Sequence, residues 1–317
     1  MVTRRDVVLS ALAGPVLSLA PGLRALAQQA PALAAAAPAG LGAIRAVTIT
    51  APDLKAVESA WTRYMGYQVI TKGKVPKATA TSWDAPAVGG SPCLILGPAS
   101  GEKTYLRFVQ QGKDGDDTGT GTLGWSTTEI TVQDNDKLYE KLKDSPFTVT
   151  HPPAVIPTYS YLKAMHAVGP AGEQLNLTWI TEPRPDLAVA KSAVGKCFIT
   201  VLGAPDLPAA LQFYHDTFGN TPSPIRQLPS LQLAVVKLDE GAKIEIDHYG
   251  DKAKPRQRPD AGLPPGVALV TFDCRRFDAL QDKFIHPAAH NELPPFKGKS
   301  AATMRGPAGE LLELLKV

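Results

Sequence analysis

The chain has 317 residues, 44% hydrophobic and 20% charged, which describes a folded globular protein long enough for two domains of ordinary size. Basic residues exceed acidic ones by only three, and the densest basic stretch, KAKPRQRP (252–259), is interrupted by prolines. Nucleic-acid binding is therefore not expected, because neutralising phosphates takes a concentrated basic face.

Residues 1–27 read as an export signal peptide. Arg4 and Arg5 precede the apolar run VVLSALAGPVLSLA, and Ala25-Leu26-Ala27 supplies a small-x-small cleavage site. The arginine pair resembles the twin-arginine signal of bacteria, to which Asp6-Val7-Val8-Leu9 is a loose match; a general secretory signal with two arginines is the alternative. Gly14 and Pro15 break the run, so a stable membrane anchor is not expected, and the expected location is periplasmic or secreted. The Ala/Pro-rich segment 28–40 reads as a tether. Cys93, Cys197 and Cys274 are odd in number and lack metal-ligand spacing, so buried inert thiols are expected rather than a disulfide framework.

Four units follow, each with a strand, a helix and two or three further strands. The first runs from about 42 to 112, with Asp53 as N-cap of a helix whose buried stripe is Leu54, Val57 and Trp61. The glycine-rich stretch 112–122 connects it to the second, 124–181, which holds a helix from Asn135 to Leu142 and two strands around GPAG. TEPRPDLAVAK (181–191) is the chain's midpoint and the expected domain boundary. The third unit opens at 194 with a strand and the helix DLPAALQFYHDTFGN, Pro208 in its first turn and Gly219 at its end. The fourth, 264–317, carries a short helix from Phe277 to Phe284, an irregular proline-rich loop (286–296) and a second GPAG.

The units repeat. LGAIRAVTITAPDL (41–54) matches VGKCFITVLGAPDL (194–207), and the same spacing places Trp61 on Tyr214, Met65 on Phe218 and Gly66 on Gly219. GPAGEQLNL (169–177) matches GPAGELLEL (306–314). The signatures APDL-x6-W-x4-GY and APDL-x6-Y-x4-GN, with the G-x-x-L-E-L ends of the later units, resemble the vicinal oxygen chelate superfamily of glyoxalase, bleomycin-resistance proteins and extradiol dioxygenases. The resemblance spans about 42–317. It implies an α+β fold: four βαβββ modules paired into two cup-shaped, partly closed mixed β-sheets with helices on the outside. The expected pairs are 41–181 and 194–317, joined by a linker at 182–193. Strand parity supports cups, since Leu175 and Leu177 oppose Gln174, Asn176 and Thr178, and Ile244 and Ile246 oppose Glu245 and Asp247. A polar concave face is expected.

Metal-dependent members carry a histidine or similar ligand on a module's first strand and a glutamate on its last. Counting back from the post-strand aspartate, the first-strand positions here are Ala46, Thr127 and Ile199, with Leu269 in the fourth unit; none is histidine. The last-strand positions are Tyr105, Asn176, Glu245 and Glu313. No cofactor is favoured, although a divalent metal is possible. Two acid/base centres suggest themselves. The first is His166 with Glu129, helped by Arg107, Tyr161 and Asn176; the second is Glu245 with Glu313, expected to share the C-terminal cup. Tyr105, Thr127 and Tyr159 complete the expected substrate contacts, and aromatics around a polar cup suit a flat, partly apolar ligand.

The reading is an exported enzyme acting on a small aromatic or apolar compound, by lyase or isomerase chemistry through proton transfer and without a His-ligated metal. The alternatives are a metal-dependent ring-cleaving dioxygenase or glyoxalase-like lyase, and a periplasmic protein that binds or sequesters a small molecule. The expected partner is a small-molecule substrate, with homo-oligomerisation open.

Overall fold

The computed structural model describes residues 40–112, 121–157, 159–250 and 253–317. The export signal, the body of the tether and most of the 112–122 connector lie outside them. Module 1 comprises β1 (Leu41–Ala51), α1 (Leu54–Ala60), β2 (Gln68–Lys74), a short α2 (Lys77–Ser82), β3 (Pro92–Gly97) and β4 (Tyr105–Gln110). Module 2 comprises β5 (Gly124–Val132), α3 (Asn135–Leu142), β6 (Thr148–Ile156), β7 (Tyr159–Val168) and β8 (Gln174–Ile180). Module 3 has β9 (Val194–Gly203), α4 (Leu207–Phe218), β10 (Arg226–Gln227), β11 (Gln232–Lys237) and β12 (Lys243–His248). Module 4 has β13 (Val267–Cys274), β14 (Ala289–His290), β15 (Ser300–Arg305) and β16 (Leu311–Lys316). Its expected α-helix is a 3-10 segment, Phe277–Lys283.

The repeated APDL motif is a strand exit followed by a helix cap. Asp53 accepts from the backbone N–H of Lys55 and Ala56, and Asp206 from that of Ala209, which satisfies donors the first helical turn leaves open. At the other end Gly66 (φ 72°) and Gly219 (φ 73°) close their helices in the left-handed region. α1 runs on through one π-helical turn, Trp61–Met65, before Gly66 stops it.

Among the described residues sixteen strands form two eight-stranded sheets, β14-β15-β16-β13-β1-β4-β3-β2 and β10-β11-β12-β9-β5-β8-β7-β6. Modules 1 and 4 therefore share one sheet, and modules 2 and 3 the other. This corrects the expectation that consecutive modules pair: the first strands that zip antiparallel are β1 with β13 and β5 with β9. The helix-facing sides of both sheets meet in one apolar core containing Val47, Ile130, Leu177, Ile244 and Phe272, with Trp61, Leu138 and Tyr214 from the helices.

Consecutive modules are joined differently, through the GPAG-Glu turns. Trp61 Nε1–H donates to Glu173 Oε1 (2.9 Å), and Tyr214 O–H to Glu310 Oε1 (3.1 Å). The second oxygens accept from the backbone N–H of Ala171 and Ala308, both at 2.8 Å. Each carboxyl folds back over the first glycine of its turn, where a Cβ would meet it at 2.1 Å (Gly169) or 2.0 Å (Gly306). Burial pushes both carboxyls up to about 7, despite these hydrogen bonds. The pairing of Trp61 with Tyr214 in the repeat thus marks one clamp used twice. Among the described residues no helix is long and apolar enough to cross a membrane.

Candidate functional site

The concave face of the first sheet is plugged. Glu313 on β16 and Arg107 on β4 are almost wholly buried and form an ion pair at 2.9 Å. Arg107 also donates to Thr48 and Thr271, and its guanidinium carbon lies 4.3 Å from the centroid of the Trp83 ring. Trp83 follows α2, which folds into the cup, and donates Nε1–H to Glu313 Oε1 at 2.8 Å. Asn291, from the proline-rich loop, donates to the same oxygen, and Thr271 to the other. Burial favours the protonated form of Glu313, but Arg107 and these donors outweigh it and hold the carboxyl below its ordinary value. Around the pair the face is apolar, with Ile95, Val109, Leu269 and Leu311, so the expectation of a polar concave surface fails here. Tyr105 lies beside it, edge-on to Phe296 at 5.9 Å.

The second sheet differs. Backbone register places Lys243, Ile199, Glu129, Asn176, His166 and His151 opposite one another on β12, β9, β5, β8, β7 and β6. One polar row thus crosses six of the eight strands, interrupted by Ile199. Asn176 Nδ2–H donates to Glu129 Oε1 at 3.0 Å, while Glu129 Oε2 is buried with no hydrogen-bond partner. The His151 and His166 ring centroids are 5.0 Å apart. Thr127, Glu245 and Asp247 are buried on neighbouring positions.

Burial pushes the Glu129 carboxyl up to about 8, against the Asn176 hydrogen bond, with the Asp247 charge adding to the rise. Burial likewise brings the Lys243 ammonium down to about 8. Its Nζ donates to the Asp186 carbonyl, so the central linker reaches into this cup. Leu187 and Ala188 of that linker pack with Tyr159, Leu162, Phe198 and Ile199 over the row. Arg226, on the β10 edge, bonds the Tyr159 hydroxyl from near the opposite edge, and Arg184 lies over the Tyr161 ring at 4.4 Å. The hollow is roofed.

The candidate residues therefore separate. Glu129, His166, Asn176, Thr127 and Glu245 share the second cup, with Tyr159 and Tyr161 above it. Arg107 and Tyr105 belong to the first cup with Glu313, so Arg107 cannot assist His166, and Glu245 and Glu313 are not a pair. The physical cause in both cases is the pairing of module 1 with 4 and of 2 with 3. The first-strand positions differ from expectation as well: the residue opposite Asn176 is Glu129 rather than Thr127, and that opposite Glu313 is Thr271 rather than Leu269. Irregularities in the β5–β9 and β1–β13 ladders make residue counts through first strands unsafe. Lys243 is a site residue that the sequence reading does not single out. The available signal for it is an alternating strand with a lysine on its polar face, KIEIDH.

The divalent metal that the resemblance implies does not fit these donors. In the first cup a guanidinium is bonded to the last-strand glutamate, and in the second an ammonium stands in the row with Glu129. Among the described residues no three His, Cys, Asp or Glu side chains converge as a metal site. All three cysteines are free and buried, as expected, and burial pushes the Cys93 and Cys274 thiols up to about 11, which disfavours the reactive thiolate.

No family model and no curated protein matches the chain. Solved structures do match. Glyoxalase I from Zea mays shares 17% identity at a TM-score of 0.61, over 86% of this chain and 92% of that one. A candidate dioxygenase from Bacillus subtilis subsp. subtilis str. 168 shares 13% identity at a TM-score of 0.62, over 87% of this chain and 86% of that one. At such identities the likeness is one of fold, and the fold is that of the glyoxalase/dioxygenase-type vicinal oxygen chelate proteins.

Proposed function

We propose that the protein is an enzyme that moves a proton on a small organic compound held in the cup of modules 2 and 3, with Glu129 as the acid/base. The observation that carries this reading is the unpaired Glu129 Oε2, buried in a polar row that also holds the Lys243 ammonium two strands away, each group pushed to about 8 by burial. A general acid/base works best with a value near the operating pH, and opposed shifts of a carboxyl and an amine to about 8 supply that match. Asn176 fixes the carboxyl through Oε1. Lys243 stabilises the ionised form once Glu129 has given up its proton. A carbon-bound proton passes to Glu129 Oε2, and return at another carbon is an isomerisation; departure of a neighbouring group with the bonding electrons is a lyase step. Tyr159, Tyr161 and Phe198 favour a substrate with a flat or apolar body. Glu129 is wholly buried, so entry requires the linker around Leu187 or the Arg226–Tyr159 contact to yield. The Glu313–Arg107 cluster, in which both carboxylate oxygens are already engaged, is assigned a structural role. An exported location belongs to this reading and rests on residues 1–27 of the sequence.

A binding or sequestering role is the second reading, favoured by the closed roof over the row. Deuterium exchange into a panel of aryl ketones and α-keto acids, followed by NMR in heavy water, separates the two. The proton-transfer reading expects saturable exchange that falls about 10²-fold or more in Glu129→Gln and persists in Glu313→Gln, each variant first checked for cooperative unfolding. Exchange undiminished in Glu129→Gln rejects the assignment. Ligands that raise the melting temperature without any exchange favour the binding protein.

A further inference from the structure

Outside both cups, a cavity of about 240 Å³ opens where the starts of β5 and β13 come together under the β15–β16 turn. Trp125, Val267, Ala268 and prolines of the 253–266 connection form its apolar wall, and Arg256, Arg258 and Arg305 its polar one. The charges are out of balance. Arg258 and Arg305 share a single carboxylate, Asp84 Oδ2, at 3.0 and 2.6 Å. Arg256 is half-buried, its Nε sealed from solvent, and it gives its Nη donors to the carbonyls of Pro265, Val267 and Trp125 and to the Thr122 hydroxyl. Among the described residues no carboxylate pairs with it, and its Nε has no acceptor. Among the described residues the acid lining the cavity is Glu310, and it is turned inward to Tyr214 and Ala308.

A guanidinium held only by neutral acceptors has its hydrogen bonds but no opposite charge to offset its desolvation. Guanidinium groups match carboxylates in shape and donor geometry, which a rigid apolar wall complements. We infer that this cavity binds a small organic carboxylate, its charge on the arginines and its body against Trp125 and the prolines. The cavity is smaller than the ~300–1,000 Å³ of drug-sized sites, which limits the ligand to a compact acid with one ring or a short branched chain. This site is independent of the proton-transfer centre and stands whether or not that assignment holds.

Benzoate is the probe, and neutral benzamide, of the same shape, is the control. Thermal unfolding and calorimetric titration of the full chain are compared with Ala308→Phe, which fills the cavity without removing a polar contact, with Arg305→Gln at the rim, and with Glu129→Gln in the second cup. The expected result is saturable stabilisation by benzoate and none by benzamide. Ala308→Phe abolishes it, Arg305→Gln weakens it about tenfold, and Glu129→Gln leaves it unchanged. The inference is overturned by no saturable benzoate effect on the full chain, by equal effects of benzamide, by undiminished binding in Ala308→Phe, or by loss in Glu129→Gln.

Discussion

Two residues, Glu129 and Lys243, give the second cup a pH signature that can be read without a substrate. The Glu129 carboxyl stands at about 8 when folded, far above an exposed glutamate, so the native state binds the extra proton across the interval between. Its contribution to stability is complete at low pH and is lost as pH rises towards 8. Lys243 acts in the opposite sense: its ammonium stands at about 8 when folded and near the ordinary lysine value when unfolded, so stability recovers as pH climbs above 8. The two effects meet in a minimum near pH 8. Urea unfolding across pH 5–10 should show wild type losing on the order of a few kcal/mol relative to Glu129→Gln between pH 5 and 8. The Lys243→Met variant should lack the recovery above pH 8. Parallel profiles for wild type and Glu129→Gln would place the titration elsewhere. That a glutamate and a lysine lay on the polar parity of their strands was legible in the sequence. That they belong to one transverse row was not, because register across β9 depends on ladder irregularities that no local pattern encodes.

At the scale of elements, the GPAG-Glu turn is the part of the molecule whose sequence and geometry agree most closely. Both copies of the motif were visible as an echo, and both do the same work, the first glycine making room for the carboxyl that receives a helix aromatic. The chemistry could not be read from the motif, since its glutamate falls at a strand start where a solvated residue is ordinary. Glu173→Ala removes the acceptor of a buried Trp61 N–H and leaves a void, which should cost about 2–4 kcal/mol. Gly169→Ala drives a Cβ into the same carboxyl and should break the same contact. Denaturant unfolding of Glu173→Ala, Gly169→Ala and the double variant should therefore give strongly non-additive losses. Glu173→Ala and Glu310→Ala, which touch separate clamps, should instead add within about 0.5 kcal/mol. Additive losses for the Gly169 and Glu173 pair would mean that the glycine serves the backbone turn alone.

For the whole molecule, the sequence repeat established that module 1 is equivalent to 3 and module 2 to 4, but equivalence does not specify partners. Either pairing leaves the same polar and apolar parities and the same caps, and the choice is made by which first strands zip together, a long-range event with no local signal. The observed choice interleaves the two halves of the chain: each half supplies one module to each sheet and one side of each central seam. Reciprocal side-chain contacts reinforce the exchange, with the Tyr67 hydroxyl donating to the Gly195 carbonyl and Asn220 bonding both backbone groups of Leu41. A half expressed alone would leave β1 and β5, or β9 and β13, as long apolar edges, which folded proteins avoid. Fragments 40–183 and 184–317, the cut lying before the linker residues that roof the second cup, should therefore be unfolded or self-associated when separate. Mixed, they should recover a 1:1 complex with native circular dichroism and one cooperative transition, measurable by size-exclusion chromatography with light scattering. A monomeric 40–183 fragment that unfolds cooperatively on its own would show instead that consecutive modules make a self-sufficient sheet, and the interleaved arrangement would have to be abandoned.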